Sequence, residues 1–194
     1  MISKRTLTGA NILEYRIDEL NNQVELLSLY EAKTLKNTSG TGSFDDIPIV
    51  DDDHEIIVPF YKEFHAILFP VLSTVLLQTN PDTYDLTPNG TLPNIQWNIA
   101  NGTMLDADGV TIIADPEYAN HHLFQTNMLS ILDVNIESGY KYYALFKWFM
   151  TQNVLPELAQ KYLASYQNVL SEIKSNIRHN NNSKTRTSRP YNMF

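Results

Sequence analysis

Residues 137–150 read ESGYKYYALFKWFM, and the way this stretch divides decides how many helices the chain has. Six aromatics fall in the eleven residues from Tyr140 to Met150. Just ahead of them stands Gly139, the residue type that most often ends a helix, because it enters the left-handed cap conformation without a Cβ clash. The stretch therefore predicts one helix ending near Gly139 and another beginning at Tyr140. The aromatics cover more than one side of that second helix. Core packing accounts for such a pattern on its own. A core side plus a subunit interface, with Tyr140, Tyr143 and Trp148 as contacts, is the other reading.

Upstream, Asp115-Pro116-Glu117 is a helix-start signature: an Asp cap, proline at the first helical position and an acid in the first turn. It opens the helix that runs to about Glu137. Further back the period changes. Ile95–Ile99 and Thr103–Leu105 read as extended, and Val110–Ile113 as a short β-branched strand. Between the last two lie Asp106, Asp108 and Gly109. An EF-hand alignment that sets Gly109 at the sixth position puts Met104 at the first, where a hard cation needs oxygen. A hairpin near 103–113, with Asp108-Gly109 supplying the positive φ of its turn, fits better.

The N-terminal part reads as two helices. Leu13, Ile17, Leu20, Val24 and Leu27 repeat at four- and three-residue spacings, an amphipathic stripe that predicts a helix from about 10 to 35. A small, polar and then acidic loop occupies 37–55. Phe60, Phe64, Ile67, Leu68, Val71, Leu72 and Val75 then form the buried side of a helix over 56–78. Pro70 is expected to kink or interrupt it. Residues 80–94 form a proline-rich loop.

At the other end, Pro156 opens a final helix with Leu158, Tyr162, Tyr166, Val169, Ile173 and Ile177 on one face. From His179 onward the sequence HNNNSKTRTSRPYNMF looks disordered in isolation. The expected fold is mainly α, a helical bundle of four to five helices with a short β-hairpin insertion and an extended C-terminal arm. Residues 1–178 form the domain and 179–194 the arm.

The length of 194 residues suits one domain, and an apolar content of 43% is enough for a sizeable core. The absence of cysteine excludes disulfides, thiolate catalysis and cysteine-ligated zinc. No signal peptide is evident, and the most apolar run, 64–77, is too short to span a bilayer. Charge is unevenly divided. From Lys174 onward there are five basic residues and no acid, while residues 1–173 carry a net charge of −13. Between Lys62 and Lys141 there is no Lys or Arg. Such a body repels polyphosphate and is a poor nucleic-acid clamp.

Little else suggests a reaction. The run Asp51-Asp52-Asp53-His54-Glu55 gathers carboxylates and an imidazole, but consecutive residues do not converge on one ion, and a solvated helix N-terminus accounts for them. His121-His122 lacks the spacing that places two ligands on one helical face. No phosphate loop, nucleophile elbow or kinase signature is present. The expectation is a protein without catalytic activity, cofactor or metal. The arm, with Lys184, Arg186, Arg189, Tyr191 and Phe194, is basic and then aromatic. It fits a solvated tail, or a segment that orders on docking to the acidic body of a neighbouring subunit.

Four segments carry a likeness: FYKEFHAILFPVLSTVLLQ at 60–78, DADGVTII at 106–113, YANHHLFQTNMLSIL at 118–132 and SGYKYYALFKWF at 138–149. Over roughly 56–150 their order resembles the head–tail connector proteins (adaptor or ring) of tailed bacteriophages, particularly those of crAss-like and other Bacteroidales phages. The N-terminal helix and the long last helix with its arm fit less well. The resemblance implies a virion protein assembled in the host cytoplasm, a homo-oligomeric and by resemblance dodecameric ring between portal and tail. Its partners would be the portal protein and neighbouring ring or tail proteins, with DNA passing unbound and no membrane involved. A cytoplasmic helical protein-binding or regulatory module is the alternative.

Overall fold

The computed structural model describes residues 6–7, 10–39, 47–73, 75, 94–100, 104–105, 126–152 and 156–185. The strands and helices are β1 (Thr6–Leu7), β2 (Ala10–Arg16), α1 (Ile17–Ser39), α2 (His54–Leu72), β3 (Asn94–Ala100), β4 (Met104–Leu105), α3 (Thr126–Gln152) and α4 (Pro156–Thr185). A single 3-10 turn, Asp51–Asp53, leads into α2. The protein is mainly α, as expected, with four helices among the described residues.

The first departure is at the N-terminus, where the predicted helix over 10–35 begins as a strand. Leu13, Tyr15 and Ile17 are buried while Glu14 and Arg16 are exposed, the two-residue period of a half-buried strand. β2 pairs antiparallel with β3, setting Leu13 opposite Trp97 and Tyr15 opposite Ile95. On β3, Ile95, Trp97 and Ile99 are all buried, so one face of this ribbon is apolar and packs on the helices. Helical spacing takes over at Ile17, with Leu20 and Val24 inside. β4 pairs with β1, Leu7 opposite Met104. The remainder of the expected hairpin, with Asp106, Asp108 and Gly109, lies outside the described residues, as does the helix start at Asp115.

α3 corrects the reading of Gly139. One helix runs unbroken from Thr126 to Gln152. A Cβ on Gly139 would stand 2.4 Å from the Cζ of Phe64. The glycine is thus a contact surface for a ring and no helix end. Phe64 is fully buried, with Tyr140 edge-on at 4.7 Å, Tyr143 at 5.8 Å and Tyr166 at 5.9 Å between ring centroids. Ring pairs of this geometry add roughly 0.5–1.5 kcal/mol beyond area burial. α2 supplies Ile57, Phe60, Tyr61, Phe64, Leu68 and Leu72 to this core, and α4 supplies Leu158, Tyr162, Tyr166, Val169, Ile173 and Ile177.

Two boundaries differ from expectation. α2 passes Pro70 and stops at Leu72, short of the predicted Gln78. α4 continues to Thr185, so residues 179–185, expected as part of a disordered arm, are helical. Extending an existing helix gains one hydrogen bond per residue fixed, which sustains a polar end that would not nucleate alone.

Candidate functional site

The aromatic residues read as partner contacts lie inside the molecule. Tyr140 is fully buried, Trp148 is 2% exposed and Tyr143 is 7% exposed. α3 is central, so its aromatic sides are covered by α2, α4 and the β2–β3 ribbon of the same chain. They cannot line a partner surface. Lys184 falls in the last turn of α4. Arg186, Arg189, Tyr191 and Phe194 lie outside the described residues.

Tyr140 instead centres a polar node in the core. Its hydroxyl accepts from Trp97 Nε1 at 3.1 Å and lies 3.0 Å from His65 Nδ1. The imidazole stacks on Trp97 with centroids 4.1 Å apart. Burial lowers the His65 pKa to about 4, so the ring is neutral at neutral pH. A neutral imidazole protonated at Nε2 accepts at Nδ1, the tautomer in which Tyr140 donates to it while accepting from Trp97. Nearby, Tyr15 donates to Asp133 at 2.7 Å, and burial, then that carboxylate, raise the phenol's pKa. These bonds join the β2–β3 ribbon to α2 and α3. They are supports.

The outer surface holds two other features. Leu26 and Tyr30, one turn apart on α1, are 65% and 66% exposed, and Ile131 and Val134 on α3 are 52% and 59% exposed. Each pair puts two apolar side chains on one exposed helix face.

The second feature is polar and lies where α1 meets the start of α2. Ser28, fully buried, donates to the Glu25 carbonyl and accepts from the Ile49 backbone N–H, both at 2.8 Å. Trp148 Nε1 donates to the Ile47 carbonyl at 2.9 Å. The segment before α2 is thereby fastened to both α1 and α3, and Val50 N–H donates to Asp53 at 3.0 Å to close the following turn. That fastening carries Asp51 and His54 to Glu25. One ligand atom from each of the three lies within 4.8 Å of the others. Asn21, Asp51 and His54 border a shallow hollow of about 280 Å³ there.

Sequence reasoning saw the acid run but missed this meeting. It found no second group to join Asp51 and His54, and α1 brings Glu25. No local pattern signals such a contact, because Glu25 looks like one more charge off the buried stripe.

The chain matches no family model, no curated protein and no solved structure. Among the described residues no helix is long and apolar enough to cross a membrane.

Proposed function

We propose that this protein is a structural virion subunit: a head–tail connector of a tailed bacteriophage that assembles as a ring between portal and tail and extends the DNA channel. The observation that carries the reading is the division of charge. An acidic body of net −13 is followed by a C-terminal run of five basic residues without an acid. Opposite charge on two parts of one chain makes head-to-tail association of copies self-complementary, the pattern that closes into rings. A negative inner wall lets DNA slide, since fixed cations would hold its phosphates.

The exposed pairs Leu26/Tyr30 and Ile131/Val134 support the same reading, as apolar contacts that a neighbour would cover. The order of elements over 56–150, with its resemblance to connector proteins, adds to it. The polar groups around Tyr140 serve packing, which suits a scaffold. The test is light scattering and electron microscopy of the full chain, alone and with a portal ring. Closed rings, or binding to the portal ring with ring symmetry, are the expected result. Monomers alone in the presence of portal overturn the proposal. Deleting residues 186–194 is expected to weaken assembly while leaving helical content intact.

A further inference from the structure

We propose that Glu25, Asp51 and His54, with Asn21 beside them, form a binding site for a divalent transition-metal ion that ties α1 to the start of α2. Glu25 Oε2 stands 3.7 Å from His54 Nε2, and Asp51 Oδ1 stands 3.9 Å from His54 Nδ1. Both separations are too long for hydrogen bonds. The Glu25–Nε2 separation does match the spacing of donors around one ion, because ligand atoms each about 2.1 Å from a metal stand roughly 3–4 Å apart, and one ligand atom from each of the three residues lies within 4.8 Å of the others.

Two orphaned polar atoms point to a ligand independently of the acids. His54 Nε2 is shielded from solvent and has no hydrogen-bond partner among the described residues. Asn21 is 3% exposed, and its Oδ1 is also without a partner there. Asn21 lies one turn before Glu25 on α1, so the two share a face. It borders the same hollow as Asp51 and His54. Buried polar atoms normally find partners, and two without one around a single hollow call for an explanation.

An ion supplies it. An imidazole gives one nitrogen to a metal and turns the other, as N–H, towards an acceptor. Nε2 and Glu25 form the inner pair; Asp51 stands nearest Nδ1, and its side chain, 93% exposed, has room to turn towards the ion from the solvent side. One nitrogen with carboxylate and amide oxygens favours a borderline ion such as zinc or cobalt over calcium or magnesium, which prefer oxygen alone. The site involves one chain only, so it does not depend on the ring assignment.

The test uses the full chain with Zn2+ and Co2+, with Ca2+ and Mg2+ as the hard-cation arm. Calorimetry is expected to find Zn2+ binding and a raised Tm, and Co2+ an absorption band from nitrogen and oxygen ligands. Glu25→Gln and His54→Gln should each weaken Zn2+ binding more than about tenfold. Asp51→Asn, at an exposed position where folding is not at stake, should weaken it as well. Circular dichroism without metal identifies any variant that fails to fold. Absence of Zn2+ binding overturns the proposal. So does binding that all three variants retain, which would place the ion at His121-His122 or His179.

Discussion

Around Phe64 the molecule is held by rings packed against one another, whereas between α1 and the start of α2 it is held by polar groups and short bonds. At the first place Gly139, Tyr140, Tyr143 and Tyr166 leave Phe64 no free space. At the second, Ser28 ties α1 to the Ile49 backbone, and His54 faces Glu25 beside a hollow that Asn21 and Asp51 border. A packed region resists changes of volume, and a polar seam resists changes of charge and hydrogen bonding. The difference separates what keeps the chain folded from what is open to a ligand.

The largest effect is expected at the packed centre. Phe64→Ala should cost about 3–5 kcal/mol, measured by denaturant unfolding, because it empties a fully buried site. A loss below about 1 kcal/mol would mean that the centre collapses easily and the contrast is overdrawn.

Acid offers a second way in. The folded-state pKa of His65 is held near 4, against 6.5 for the free group. The unfolded chain therefore binds the extra proton first as pH falls. This residue's contribution is fully present above about pH 6.5, declines between pH 6.5 and 4, and is constant below, up to about 3 kcal/mol in all. His65→Gln should flatten that part of the stability–pH profile.

Gly139→Ala sets two effects against each other. Alanine gains about 1 kcal/mol of helix propensity over glycine. Its Cβ would lie 2.4 Å from a buried ring, an overlap expected to cost about 1–3 kcal/mol or more. The ring is fully buried against Tyr140, Tyr143 and Tyr166, so a net loss of stability is expected. Combining it with Phe64→Leu should cost less than the two losses added, which a double-mutant cycle reads directly. A net gain from Gly139→Ala would mean that Phe64 is free to move.

The smallest effect falls on the seam. Ser28→Ala removes the acceptor of the Ile49 N–H and should cost about 1–2 kcal/mol. It should also loosen the segment before α2, seen as faster hydrogen exchange at Ile49, while the Phe64 region stays protected. Uniform exchange across both regions would join what the comparison separates.

Much of this fold was legible in the sequence. The α4 stripe from Leu158 to Ile177 and the alternation Ile95-Trp97-Ile99 are local patterns, and both are found. The misreadings share one cause, contact between distant residues. Leu13, Ile17 and Leu20 satisfy helical spacing, yet Leu13, Tyr15 and Ile17 also satisfy strand alternation, and pairing with β3 decides for the strand. Gly139 carries the local mark of a helix end, and only Phe64 explains why it is inside one. The aromatic run looked two-sided because α3 is central, and the elements that cover it come from elsewhere in the chain. The contact of Glu25 with His54 left no local trace.

Assembly of copies of this chain, as proposed, is read by sedimentation velocity of the full chain across a wide concentration range. A single closed oligomer is expected, dissociating with salt as the opposite charges are screened. Replacing Leu26 and Tyr30 by serine should weaken it while leaving the monomer's helical content intact, since both side chains are largely exposed. A chain that stays monomeric at every concentration and salt, and on addition of a portal ring, is not a connector subunit.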